Sequence, residues 1–313
     1  MKILITGGAG FLGSELVSHL SAHGHAVWSY DHYVIEERVE DEDGNEFVRV
    51  PGDVLDVPHL FKTVRDVAPD VIVHAAAVVG PPASIYRPAH VARVNVTGGV
   101  NVMEATLQHD VGRMIDISSE EIYGHFQADT IDEEHPQDPN SPYGVTKLAV
   151  ERLGLQYADH FGLDFVAGRV CWAYGHRYPR VRPPQSWIKD ALAGRKTVME
   201  QGGDHLLDIT YVDDVAQGFR LLCEAEHLDH RAYHVTSGVA VTLREVAEEL
   251  SQLLDGWEYE IGPGMLEMGP GFIAAKKGAL RNDRAREELG FEPKYDLRSG
   301  LAANIARLKE VGA

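Results

Sequence analysis

The sequence predicts an α/β fold, a doubly wound parallel sheet accompanied by a smaller, mostly C-terminal substrate-binding domain. Three observations predict it. Short apolar runs alternate with helix-length amphipathic segments through the first half, the pattern of parallel strands joined by crossover helices. The opening strand, Lys2 to Thr6, runs into the glycine-rich turn Gly7-Gly8-Ala9-Gly10-Phe11-Leu12-Gly13, and the following strand ends in an acid, Asp31. A length of 313 residues suggests about two domains.

Composition bounds the function. Hydrophobic residues at 44% and charged residues at 25% are ordinary for a globular protein. A net charge of −19 argues against nucleic acid or an anionic membrane as partner, because either would meet a repulsive field. Two cysteines give no disulfide framework, and none of the 16 histidines sits in an H-E-x-x-H frame, so no metal is expected. With no basic-apolar leader after Met1, a cytoplasmic protein is expected.

The first unit binds a dinucleotide. Without Cβ at Gly7 and Gly10 the backbone can bend sharply and approach a pyrophosphate, while the helix that follows points its N-terminus at the phosphates. G-x-G-x-x-G is weak alone, but strand, helix and distant acid together make it specific. The carboxylate of Asp31 accepts from a ribose diol and repels a 2′-phosphate, which selects NAD. The fold is therefore read as Rossmann-type, with residues 1–171, completed by about 208–236, as the NAD-binding domain. Residues 172–207 and 237–313 are read as the substrate-binding domain.

Further strands are expected at 25–30, 47–50, 70–77, 113–119, 164–170 and 233–235, and helices at 57–67, 89–109, 142–161, 242–255 and 296–310. A stretch rich in Gly, Pro and Met occupies 262–279. Asp53, at a strand end, either accepts from an adenine amino group or forms a plain turn. The small residues Ala75, Ala76 and Ala77 let a flat dinucleotide lie across the next strand end. The expected cofactor set is completed by Phe11, Leu12, Gly13, His32, Val54, Asn95, Ser118 and Val170, together with Tyr143 and Lys147.

The 113–119 strand delivers Ser118, Ser119, Glu120 and Glu121 to the carboxyl edge of the sheet, where ligands of open α/β sheets bind. Tyr143 and Lys147 lie four apart on one helix face. A neighbouring ammonium favours the phenolate, so Tyr143 can take a carbinol proton as hydride leaves to NAD, while Ser119 bonds the same oxygen.

These residues resemble a known family. TGGAGFLG with Asp31, HAAA, Asn95, SSEEIYG, the P-x-S-P-Y-G-x-x-K-x-x-x-E stretch from Pro139 to Glu151, YVDDVA and LGFEP look like the extended short-chain dehydrogenase/reductase family, in its NAD-dependent epimerase/dehydratase branch. The resemblance implies that Ser119, Tyr143 and Lys147 are the catalytic set, that Lys147 also holds the nicotinamide ribose, and that the chain forms a homodimer through helices 89–109 and 143–161. Glu121 matches an acid of the sugar 4,6-dehydratases, and Glu120 replaces their Asp.

The departures fall on the substrate side. Trp172 stands where nucleotide-sugar members usually have Asn, and Leu207 where they usually have an Arg for the diphosphate. Arg177, Arg180 and Arg182 instead gather in one segment, either as a solvated loop or to bind an anionic carbohydrate. The leading expectation is a nucleotide-sugar epimerase. The alternatives are a sugar-acid dehydrogenase, a 4,6-dehydratase using Glu120 and Glu121, and an NAD-sensing protein without turnover.

Overall fold

The computed structural model describes residues 1–32, 34–269 and 271–312; Pro270, within the stretch rich in Gly, Pro and Met, lies outside them. Eight strands form the main sheet in the order Ala232–His234, Phe165–Val170, Arg113–Ser119, Val71–His74, Lys2–Thr6, Ala26–Asp31, Glu46–Pro51 and Glu37–Glu40. All neighbours are parallel except the last pair, which is antiparallel.

The period of two along these strands builds three layers. Ile3, Ile5, Val71, Val73 and Ile115 face helices Phe11–Ala22 and Val212–Glu224, packing on Leu16, Leu20, Val215 and Phe219. Leu4, Ile72 and Met114 face the other way, onto Leu60, Val64, Val102 and Val150 of helices Val57–Val67, Gly98–Gln108 and Pro142–Phe161. Chain order reverses between Lys2–Thr6 and Val71–His74, so the turns after these two strands diverge and leave a crevice at the carboxyl edge.

A second core gathers Trp172, Trp187, Leu207, Ile209, Leu243, Leu250, Leu301 and Ile305. It surrounds a three-stranded sheet of Trp172–Tyr174, Leu206–Tyr211 and Ala240–Thr242. Two of its helices start at capping boxes, Leu243–Leu253 at Thr242/Glu245 and Leu297–Glu310 at Asp296/Ser299. Among the described residues no helix is long and apolar enough to cross a membrane.

Several elements depart from the sequence reading, the short helix Asp283–Leu289 among them. Glu37–Glu40 is a strand without apolar alternation, because it is an edge strand tied by charge: Arg38 to Glu46 at 3.1 Å and Arg49 to Glu37 at 2.9 Å. Pro81–Tyr86 is an added short helix. The helix expected at 89–109 is interrupted by a π-helical turn, Arg93–Thr97, which carries Asn95 inward until it is 2% exposed.

Candidate active site

A cavity of about 740 Å³ opens along the carboxyl edge of the main sheet. One end is the glycine turn. Gly7 has φ +73°, and a Cβ there would lie 2.6 Å from the Ala76 nitrogen; a Cβ on Gly13 would lie 2.0 Å from the Gly7 carbonyl oxygen. No larger side chain fits at either place, so the turn nests against the Ala75–Ala77 segment and begins helix Phe11–Ala22 at the cavity wall. Asp31 accepts a hydrogen bond from the Ala9 nitrogen at 3.0 Å, which fixes its carboxylate at the cavity rim. Asp53 and Val54 line the same end, and the Asp53 carboxylate accepts from Leu55 N at 2.9 Å. The backbone cradle and the fixed acid fit a dinucleotide with a free ribose diol.

At the centre lie Ser119, Tyr143 and Lys147, which are 6%, 6% and 4% exposed. Helix Pro142–Phe161 positions two of them. Its N-cap, Ser141, accepts from Gly144 N at 3.1 Å, and Gly162 closes its far end with a left-handed backbone. Lys147 reaches down to the Arg113–Ser119 strand, donating to the Ile117 carbonyl at 2.5 Å and lying 3.6 Å from an Asp116 carboxylate oxygen. Burial holds the Tyr143 phenol well above the usual tyrosine range, the Ser119 hydroxyl opposes that rise, and the charges of Glu121 and Asp116 add to it. The Lys147 ammonium, expected from the sequence to favour the phenolate, is directed at the strand below. His74, 2.7 Å from the Thr6 hydroxyl, is depressed by burial to about 3 and stays neutral.

The far end is polar and aromatic. The Arg182 guanidinium lies between two rings, 3.9 Å from the Trp172 centroid and 4.4 Å from that of Tyr178. Arg180 donates to the Val79 carbonyl and also lines the cavity. Glu120 is buried, and its Oε2 has no hydrogen-bond partner among the described residues. Burial pushes this carboxyl above the usual range, partly offset by Lys277. Lys277 itself sits 3.5 Å from Glu121 and donates to the carbonyls of Glu120 and Gly124.

Nearly all the residues singled out from the sequence meet in this cavity: the glycine turn with Phe11 and Leu12, Asp31, His32, Asp53, Val54, Ala75 to Ala77, Ser118 to Glu121, Tyr143, Lys147, Val170, Trp172, Arg180 and Arg182. Two lie elsewhere. Asn95 spends its amide on the backbone of Val78 and on the Thr146 hydroxyl, so it braces the turn from behind. Arg177 turns away, to Glu42 at 2.8 Å, Glu15 at 3.5 Å and the Ser14 carbonyl. Leu207 is buried in the second core. Sequence reasoning missed Lys277, which no spacing connects to Glu121, and Asp116, whose signal was an acid inside an otherwise apolar strand.

The sequence profile of the NAD dependent epimerase/dehydratase family matches residues 3–235. The chain is 30% identical to a dTDP-glucose 4,6-dehydratase of Streptomyces antibioticus, over 97% of this chain and 91% of that one. It is also 30% identical to a UDP-glucose 4-epimerase of Mycolicibacterium smegmatis, over 97% of both. The structure of MoeE5 in complex with UDP-glucuronic acid and NAD superposes with a TM-score of 0.86 at 27% identity, covering 99% of this chain and 100% of that one. Profile, relatives and the cradle at Gly7 and Asp31 agree: the chain belongs to the NAD-dependent epimerase/dehydratase family and is an enzyme of the extended short-chain dehydrogenase/reductase type with NAD as its cofactor.

Proposed function

We propose that the chain is a nucleotide-sugar epimerase that oxidises a secondary hydroxyl of its sugar and reduces it again from the other face. The observation that carries this reading is the meeting of Ser119, Tyr143 and Lys147 at the centre of a cavity that has the glycine turn and Asp31 at one end. The glycine turn and Asp31 would hold NAD along that cavity, where it would supply the hydride acceptor and donor for the carbinol carbon. The Tyr143 oxygen takes the hydroxyl proton and later returns it, while the Ser119 hydroxyl donates to the oxygen as it becomes a carbonyl. Lys147 would hold the nicotinamide ribose from the helix face it shares with Tyr143. Arg182, stacked on Trp172 and Tyr178 with Arg180 nearby, supplies the positive charge for an anionic sugar or its diphosphate, in place of the missing Arg at Leu207.

One observation favours a second reading, a 4,6-dehydratase. Glu120 has a buried, unpartnered oxygen and a raised pKa, so it holds a proton that could be given to a leaving hydroxyl, with Glu121 beside it as base. UDP-, GDP- and dTDP-sugars, set beside free uronic and aldonic acids, separate these outcomes when NADH and product stereochemistry are both followed. An epimerised nucleotide sugar without NADH supports the first reading, and a product lighter by one water supports the second. Stoichiometric NADH from a free acid overturns both in favour of a sugar-acid dehydrogenase.

A further inference from the structure

The Arg113–Ser119 strand is interior to the sheet and wholly buried, a setting that normally holds an unbroken apolar run. Asp116 breaks that run. It is 0% exposed, and neither carboxylate oxygen accepts a hydrogen bond among the described residues. An unpaired carboxylate in such a place would be strongly destabilising. The cation facing it is Lys147, at 3.6 Å, from the helix packed on this side of the sheet. The next helical turn carries Glu151, already committed to Arg169 and to the Ser118 hydroxyl. On the neighbouring strand, register sets His74 opposite Asp116, and His74 is neutral. Burial pushes the Asp116 carboxyl up and the Lys147 ammonium opposes that rise, so Lys147 is the counter-charge that keeps Asp116 ionised.

We propose that Asp116 is a positioning residue for the Tyr143–Lys147 pair, which anchors the Lys147 ammonium on the cavity floor and offsets its charge as felt by the Tyr143 oxygen. The inference rests on the reading of Tyr143 as the base. Lys147 is tethered below by two groups, the Ile117 carbonyl and the Asp116 carboxylate, so its ammonium is held at a fixed height beneath the cavity rather than swinging free. The Tyr143 oxygen then faces a nearly neutral pair instead of a bare cation. The other groups around it are Ser119 and Glu121 from the strand end, and Arg180 from the substrate loop. With Lys147 compensated, the phenol keeps its proton until positive charge enters the cavity. Asp116 thereby couples activation of the base to occupancy by the oxidised cofactor.

The test reads the tyrosine itself. Isotope-labelled tyrosine NMR of the NAD-saturated protein is followed against pH, with the Tyr143 resonance assigned by its absence in Tyr143→Phe. Asp116→Asn keeps the shape and removes the charge, so Tyr143 should lose its proton about one pH unit lower, roughly a tenfold change in its ionisation equilibrium. A role confined to packing would lower the melting temperature and leave that titration in place. If Asp116→Asn does not fold, Asp116→Ser makes the same prediction with a smaller uncharged side chain. Tyr143 titrating at the same or a higher pH in the variant overturns the proposal, as does no titration in either protein over the pH range in which both stay folded. Failure of the underlying reading is separately visible, since it would show as turnover retained by Tyr143→Phe whatever Asp116 does.

Discussion

The selectivity for NAD should reside largely in one carboxylate. Asp31 ends its strand at the cavity rim with a side chain only 14% exposed, and Ala9 N holds one of its oxygens at 3.0 Å. It cannot swing away from a 2′-phosphate without losing that bond. Two unit charges about 4 Å apart repel by about 1 kcal/mol in bulk water and about 4 kcal/mol at an effective dielectric of about 20. A side chain at the cavity rim falls between these limits, so NADP should bind on the order of 30- to 100-fold more weakly than NAD. Asp31→Ala removes the repulsion together with hydrogen bonds from the ribose to a charged acceptor, which are worth about 1.5–3 kcal/mol. The variant should therefore lose about 10- to 100-fold in NAD affinity while NADP holds or improves, narrowing the gap to within about tenfold. Calorimetric titration of the apoprotein with each dinucleotide measures both constants. Equal or tighter binding of NADP to the parent would refute the assignment of Asp31, and an unchanged ratio in the variant would move the discrimination elsewhere.

Tyr143→Phe should cut turnover by about 10²- to 10⁴-fold while leaving NAD affinity within about threefold, because only the titrating oxygen is lost; turnover within about tenfold of the parent would name another base. Arg169→Met leaves the buried Glu151 carboxylate without its cation, with only the Ser118 hydroxyl still donating to it, so chemical denaturation should show a loss of about 3–5 kcal/mol, and a loss under about 1 kcal/mol would contradict the buried pair. Glu15, beside Arg177 and His176, is raised by burial from 4.5 to about 7, with Arg177 opposing. The folded state thus binds a proton that the unfolded state has released. That contribution is full below pH 4.5 and is lost as pH rises through about 7, so Glu15→Gln should gain on the parent with rising pH, by up to about 3 kcal/mol. Melting curves at about pH 4 and about pH 8 check this, and a pH-independent difference would rule it out.

The sequence by itself determined the doubly wound sheet and NAD as the cofactor, and it named Ser119, Tyr143 and Lys147, which the fold brings to one cavity; the physical reason is locality. Strand alternation, a turn that tolerates no Cβ at Gly7, and Tyr143 one helical turn from Lys147 are all written within a few residues of one another. The edge strand Glu37–Glu40 escaped because pairing at a sheet edge depends on charge rather than apolar period. The substrate end was decided only in three dimensions. Three arginines lie within six residues, yet the fold stacks Arg182 on two rings inside the cavity and sends Arg177 to Glu42 and Glu15 outside it. Lys277 meets Glu121 only through chain closure, and Asn95 faces the turn behind the cavity because a π-helical turn rotates it there. Asp116 was visible in the sequence as an acid among apolar residues, but its partner was not: which cation faces a buried strand is settled by the helix that packs across it, and here that helix brings Lys147.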